Sequence, residues 1–358
     1  MKPKISILCP SFNHEKYVES FIWSVLGQSF KDFELIIVDD CSSDGNVKKI
    51  KEIQDKRIKL IQHQYNRGIN ASINTAFQNS SGKIVVFCAS DDILEVNALE
   101  IIYKTFECNE DIICVYPNLQ IIDEYNNILD VENITKIAPR NELLHHIFFE
   151  SNCLSSPGMS IKRGIFEAIY PLKNSFCNYQ DVDIHIRLLT IGKVLQLEQK
   201  LIKYRRSLYK TSISSEKSST AIRKKLETES LMDSFLEIKD LKFLKQIFRS
   251  EIEKTGIKPF DNTLEFFMGR MALESNNELK KYWGYHKVMN FYNNDQNAQL
   301  LYDKYGFTFG DFLGLADFMT EDLMFKKYKK YKKLFNYGIL FCVILLFCFV
   351  LLLMLEDF

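Results

Sequence analysis

The chain has 358 residues, with 46 Lys plus Arg balanced by 46 Asp plus Glu. Zero formal net charge excludes a generally basic nucleic-acid binder, so no nucleic-acid partner is expected. Hydrophobic residues at 46% and charged residues at 26% exclude a disordered chain, and the length suits about two domains.

The N-terminal stretch MKPKISILCPSF has two lysines but an apolar run too short for a secretory signal. Folding is therefore expected to begin in the cytosol. Ile5–Cys9 is a short apolar run ending at Pro10, and Phe33–Val38 is a second, ending at Asp39. Between them Tyr17, Phe21, Val25 and the pair Ile22, Leu26 recur at helical spacing. Arg57–Ile61, Ile84–Cys88 and Ile112–Tyr116 supply three further strands. Strands separated by helical patterns predict an α/β fold with a mainly parallel sheet flanked by helices. Ligands of such sheets lie beyond the carboxyl ends of the strands. Nine cysteines, an odd number without a CxxC pair, read as buried thiols in a reducing compartment.

The sheet-forming region extends to about residue 210. Residues 211–225 lie in a Ser/Lys/Thr-rich stretch, KTSISSEKSSTAIRKK, that reads as a linker or mobile lid. Residues 226–325 are helical and aromatic in pattern, and nothing in them looks catalytic. Residues 326–333 read KKYKKYKK, six lysines with two interfacial tyrosines. Residues 334–355 contain YGILFCVILLFCFVLLLML, 19 residues without a charge, which predicts one transmembrane helix. The expectation is a single-pass anchor in the cytoplasmic (inner) membrane, with the remainder of the chain on the cytoplasmic side and the membrane as a partner.

Two carboxylate pairs stand at strand ends. Asp39-Asp40 can accept hydrogen bonds from a base N–H or a ribose hydroxyl. Asp91-Asp92 can hold a hard divalent cation while leaving positions for phosphate oxygens. Either pair alone reads equally as a helix cap or turn former. Two pairs on alternate strand ends of one sheet favour a ligand site. No GxxxxGK[ST] loop and no GxGxxG follow the first strand, which argues against an ATPase or a dehydrogenase.

The segment CPSFNHEKYVESFIWSVLGQSFKDFELIIVDDCSSDG resembles the opening of glycosyltransferase family 2, inverting enzymes with a GT-A (Rossmann-like) fold. The likeness continues through NRGINASINTAFQNSSGKIVVFCASDD. It resumes with SSPGMSIKRGIFEAIYPLKNSFCNYQDVDIHIRLLTIGKVLQLEQKLIKYRRS, and covers about the first 210 residues. The resemblance implies a nucleotide-sugar site in which Pro10, Phe12 and Asn13 lie beneath the base. In it Asp40 binds the base beside Asp39, and Asn66, Arg67 and Gly68 form a turn next to the nucleotide. It implies further that Asp92 ligates Mg²⁺ or Mn²⁺, that Asp91 sits nearer the ribose or sugar, and that Asp181 is the general base. The chain departs from the family pattern at Ala89, where an acid is usual, at Gln180, where Glu is usual, and after Tyr204-Arg205, where a histidine is usual.

The implied activity is transfer of a sugar, with inversion, from a nucleotide-sugar donor (a UDP-sugar) to a hydroxyl of a glycan acceptor. The predicted anchor suits a lipid-linked acceptor in cell-surface polysaccharide assembly, because it confines enzyme and lipid to one surface. A polyprenyl-phosphate sugar synthase and a non-catalytic GT-A scaffold are competing readings. Asp181 opens a helical pattern, whose N-terminus is expected to keep it ionised. Arg205 and Arg206 either reach the diphosphate when the following loop closes or cover the surface. Asp183 reads as a cap or a partner for Arg187, and His185 as a packed or solvated helix residue.

Overall fold

The computed structural model describes residues 2–131, 135–206, 218–319 and 328–339. Its strands are β1 (Ile5–Ser11), β2 (Phe33–Asp39), β3 (Ile58–Gln62), β4 (Ile84–Phe87), β5 (Ile93–Leu94), β6 (Ile112–Ile122), β7 (Ser160–Lys162) and β8 (Lys193–Arg205). They form one sheet in the order β3-β2-β1-β4-β7-β6-β8-β5. The pairings β1/β2, β1/β4, β2/β3 and β6/β8 are parallel. β4/β7, β6/β7 and β5/β8 are antiparallel.

The interleaved helices are α1 (Val18–Leu26), α2 (Asn46–Glu52), α3 (Ile69–Gln78), α4 (Ala98–Cys108), α5 (Arg140–Phe149), α6 (Arg163–Ile169) and α7 (Gln180–Ile191). The apolar runs of the first strands follow from burial on both faces. Leu8, Ile36, Val38, Val85 and Phe87 enter one core. Their strand neighbours Ile7, Cys9, Leu35, Ile37 and Val86 enter a second core on the opposite face, as a period of two requires. Phe21, Ile22, Val25 and Leu26 of α1 complete that second core.

Beyond β8 come α8 (Ser218–Asp233), α9 (Leu241–Ile247), α10 (Arg249–Thr255), α11 (Leu264–Leu273), α12 (Glu278–Tyr292) and α13 (Asp295–Tyr305). Of the stretch 211–225, residues 211–217 lie outside the described residues and 218–225 open α8. These helices share the first core with the sheet through Leu231, Phe235, Leu244, Phe248, Phe267 and Trp283. Chain residues up to Phe307 thus belong to one compact unit. α11 and α12 approach closely at two glycines, where a Cβ on Gly284 would lie 2.5 Å from the Gly269 carbonyl oxygen. Lys280 of α12 is buried and donates to the carbonyls of Ile147 and Glu150 at 3.0 Å, closing the end of α5.

A second unit starts at Thr308. Its helix α14 (Phe309–Gly314) opens with a capping box formed by Thr308 and Asp311. Residues 328–339 form a further helix whose side chains are exposed.

The expected fold class is corrected in one respect. The chain has a GT-A-like α/β sheet and a helical C-terminal region. Among the described residues, however, no helix is long and apolar enough to cross a membrane. The described helical residues 328–339 carry four of the six lysines of KKYKKYKK, and these 12 residues span about 18 Å, short of the roughly 30 Å hydrocarbon core. Residues 340–355 of the expected span lie outside the described residues. The expected transmembrane helix, and the inner-membrane localisation and membrane partner that depend on it, are therefore not supported.

Candidate active site

The carboxyl ends of β1, β2 and β4 bring the predicted donor residues together. β1 and β2 pair with Ser11 opposite Asp39. The loops that follow are tied by Asn13, in the left-handed region at φ 56°. Its backbone N–H donates to Ser42 Oγ at 2.9 Å, and its side-chain oxygen accepts from Ser43 N at 2.8 Å. Phe12 beside it, two residues beyond Pro10, is 41% exposed and presents an aromatic surface to solvent.

Asp39 and Asp40 are both buried, and each carboxylate is held by named donors. Asp39 accepts from Asn46 Nδ2 at 2.7 Å and from Ser42 N at 3.0 Å. Asp40 accepts from the backbone N–H of Arg67 at 2.8 Å and of Gly68 at 2.7 Å, and its Oδ1 lies 2.7 Å from His63 Nδ1. Asn66 Oδ1 also accepts from Gly68 N, at 3.2 Å. The Asn66-Arg67-Gly68 turn is thus organised on Asp40. Gly68 has φ 86° and ψ 167°, a conformation open to glycine, while a Cβ there would meet no atom within 4 Å. The glycine is required by the backbone, not by crowding.

Asp91 and Asp92 follow β4. A chain of polar contacts connects them to the nucleotide-side pair: Asp39 to Asn46, Asn46 to Ser11 at 2.9 Å, Ser11 to Ser90 at 2.7 Å, and Ser90 to His14 Nδ1 at 2.7 Å. His14 Nε2 then stands 3.8 Å from Asp91 Oδ2. Asp92 is fully buried; its Oδ1 accepts from Arg205 N at 3.0 Å, and its Oδ2 has no hydrogen-bond partner among the described residues. Burial, then the charge of Asp91, push its carboxyl well above the usual carboxylate range. An orphaned buried oxygen beside a second carboxylate suits a divalent cation, which would relieve both effects. Among the described residues no cluster of three or more His, Cys, Asp or Glu side chains is placed to hold a metal. The protein thus offers a carboxylate pair, and remaining ligands would come from diphosphate and water.

Arg205 neither reaches outward nor covers the surface. It is buried, with its guanidinium over the Tyr17 ring at 4.5 Å. The guanidinium donates to the carbonyls of Asp91 at 2.8 Å and Asp123 at 2.7 Å, and to Asn126 Oδ1 at 2.7 Å. Arg206 is exposed.

Asp181 lies in the first turn of α7. Its Oδ1 accepts from Val182 N at 2.9 Å, and among the described residues its Oδ2 has only a long contact of 3.5 Å with Asn152 Nδ2. Burial pushes its carboxyl up to about 6, and the backbone N–H groups of the helix start offset this only in part. Desolvation is thus a larger effect than the helix N-terminus expected to keep this carboxyl ionised. Tyr204 lies in the electrostatic field of both carboxylate groups. Burial, then the charges of Asp92, Asp91 and Asp181, raise its phenol to about 12.

Other polar residues of α7 face inward. Asp183 pairs with Lys173 at 2.9 Å and only distantly with Arg187, at 4.0 Å. His185 is fully buried, with Nδ1 3.0 Å from the Tyr116 hydroxyl, and burial lowers it to about 3, leaving it neutral. His14, His63 and Arg205 were not expected in these roles. His14 directly follows Asn13, and that adjacency was the one signal available for it.

The family model for glycosyl transferase family 2 matches residues 6–170. An uncharacterized glycosyltransferase of Methanocaldococcus jannaschii is 32% identical over 209 residues, covering 57% of this chain and 71% of that protein. The chain belongs to glycosyltransferase family 2. Another family relative is the Escherichia coli UDP-Glc:alpha-D-GlcNAc-diphosphoundecaprenol beta-1,3-glucosyltransferase WfgD, 39% identical over 119 residues, 33% of this chain and 47% of that enzyme. The chain spans less than two thirds of the length of several curated relatives it matches. Among solved structures, Staphylococcus aureus TarS 1-349 in complex with UDP-GlcNAc aligns with TM-score 0.55 and 16% identity, over 81% of this chain and 89% of that one. That likeness establishes a shared fold.

Proposed function

We propose that this family 2 chain is an inverting glycosyltransferase. It moves a sugar from a UDP-sugar to a hydroxyl of a glycan acceptor in the assembly of a polysaccharide or lipid-linked glycan. The observation that carries the reading is the polar chain Asp39–Asn46–Ser11–Ser90–His14–Asp91, which supports one site joining the nucleotide-side carboxylates to the cation-suited pair at the strand ends. The E. coli relative's name, with its UDP-glucose donor and diphosphoundecaprenol-linked acceptor, supports the choice of donor and acceptor class.

In this proposal Pro10, Phe12, Asn13 and the carboxylates of Asp39 and Asp40 shape the nucleotide end. Asn66, Arg67 and Gly68 border it, and Asp91 orients the sugar end. Asp91 and Asp92 would hold Mg²⁺ or Mn²⁺, which supplies positive charge against the departing diphosphate. Asp181 Oδ1 is occupied by Val182 N, so Oδ2 receives the proton of the acceptor hydroxyl. That hydroxyl becomes acidic only as it attacks the anomeric carbon from the face opposite the diphosphate, which inverts the configuration. A carboxyl near 6 is ionised at neutral pH and takes the proton more readily than one of ordinary pKa.

Calorimetry tests the donor: UDP-glucose, UDP-GlcNAc, UDP-galactose and GDP-mannose, each with Mn²⁺ or EDTA. Mn²⁺-dependent binding of one UDP-sugar is expected. Transfer to a GlcNAc-diphospholipid is then followed by UDP release. Absence of binding by every donor to folded protein would overturn the reading.

A further inference from the structure

We propose that Glu227 is a positioning residue for Asp181, a role that rests on the reading of Asp181 as the base. Glu227 lies on α8, in the helical region beyond β8, and is only 9% exposed. Its carboxylate accepts three successive backbone N–H groups from the loop that leads into α7. Oε1 takes Cys177 N at 3.0 Å, while Oε2 takes Asn178 N and Tyr179 N at 2.9 Å each. Tyr179 occupies the N-cap position of α7 and makes no side-chain cap of its own. A distant acid therefore organises the backbone at a helix start where a local Ser, Thr, Asp or Asn would ordinarily act. Two residues beyond Tyr179 stands Asp181.

The contact is built on one face of α8. Arg223, one turn before Glu227, donates from Nε to Asn178 Oδ1 at 3.1 Å. α8 is itself anchored at its far end, where Asp233 accepts from Trp283 Nε1 at 3.0 Å and pairs with Lys287 at 2.8 Å. The next residue, Ser234, donates to Asp183 at 2.5 Å, on the same turn of α7 as Asp181. Among the described residues Glu227 enters no ion pair, so its charge is met by the loop amides. A carboxylate with three amides directed at it fixes the path of residues 177–179, and with it the direction in which Asp181 leaves the helix start. Donor-side residues at the ends of β1, β2 and β4 make none of these contacts.

The test uses the full chain with Glu227→Gln and Glu227→Ala. Readouts are kcat for UDP release from UDP-glucose with Mn²⁺ and a GlcNAc-diphospholipid acceptor, the UDP-glucose Kd, Tm, and hydrogen exchange at residues 177–179. Small misplacements of a reacting group cost up to about a hundredfold, so kcat should fall about tenfold in the Gln variant and nearer a hundredfold in the Ala variant. Donor Kd should stay within about twofold, and exchange at 177–179 should quicken. The Gln variant, nearly equal in shape, keeps the test informative where Ala fails to fold. Unchanged kcat in Glu227→Gln would overturn the inference. Parallel loss of kcat, donor affinity and Tm would overturn it also, by showing a general structural role. Unprotected amides at 177–179 in the unaltered chain would do the same. Asp181→Asn separates the two levels: retained transfer there removes the base itself, whereas lost transfer there with normal Glu227→Gln turnover removes only the positioning role.

Discussion

Arg205 donates its backbone N–H to Asp92 Oδ1 at 3.0 Å, while its guanidinium grips the carbonyl of the preceding residue, Asp91, at 2.8 Å. The last strand thereby holds the cation-suited pair from beneath. Register explains the arrangement: β8 ends with Arg205 paired to Ile122 of β6, directly before the Asp123–Asn126 turn that receives the rest of the guanidinium.

Replacing Arg205 by Lys should lower stability by about 2–4 kcal/mol, because an ammonium cannot reach three acceptors in a planar fork and leaves buried carbonyls unpaired. UDP-sugar affinity in Mn²⁺ should fall with it. Denaturant unfolding and calorimetry measure the two; an unchanged midpoint would show that the fork is dispensable.

Asp92→Asn keeps an oxygen for Arg205 N but removes the buried charge. Without metal, Tm should hold or rise, since a buried carboxylate with one orphaned oxygen is removed. The strengthening of donor binding by Mn²⁺ should fall at least about tenfold. Donor affinity that still responds fully to Mn²⁺ would assign the cation elsewhere.

Asp181 predicts a pH dependence with a definite sign. Its carboxyl must be ionised to take a proton, so kcat should decline as pH drops through about 6. Its folded value lies above the unfolded one. Its favourable contribution to stability is thus complete below about 4 and lost as pH rises through about 6. Asp181→Asn should therefore abolish transfer by about 10²–10⁴-fold while leaving donor affinity intact. The same variant should gain stability on the order of 1 kcal/mol at pH 7.5 but none at pH 4, the gain being limited by partial exposure. Rate profiles and thermal melts at the two pH values check both statements.

How much of this was legible depends on whether the information is local. The runs ISILC, FELIIV and IVVFC announce strands because both faces of the sheet are covered, and carboxylates at their ends are visible for the same reason. β5 and β7, of two and three residues, are too short to carry a period. His63 escaped notice because its meeting with Asp40 depends on Asp39 lying opposite Gln62 in the β2/β3 register. The rise in the Asp181 carboxyl depends on burial, which the helical spacing around it does not reveal. The charge-free C-terminal run expresses composition alone, and the described residues before it, 328–339, hold four lysines and form no helix able to cross a membrane.

Gly68→Ala tests the turn beside the nucleotide end. With φ 86° and ψ 167°, an L side chain has room but the wrong backbone, so about 1–3 kcal/mol of strain is expected. The turn can relax only by drawing the Arg67 and Gly68 amides away from Asp40. Lower Tm together with weaker UDP-sugar binding is the expected pair of results, and normal values for both would show that the turn tolerates another path.

The three amides on Glu227 also bear on how this protein can be divided. A fragment cut after β8 would retain every residue of the family-2 match and every carboxylate of the cleft. It would nevertheless send Cys177, Asn178 and Tyr179 into solvent without their acceptor, beside an apolar face stripped of Leu231, Phe235 and Trp283. Transplanting the sugar-transfer module into another protein therefore requires carrying α8 through α12 with it, and the natural seam for such a graft lies after Phe307 rather than at the end of the sheet.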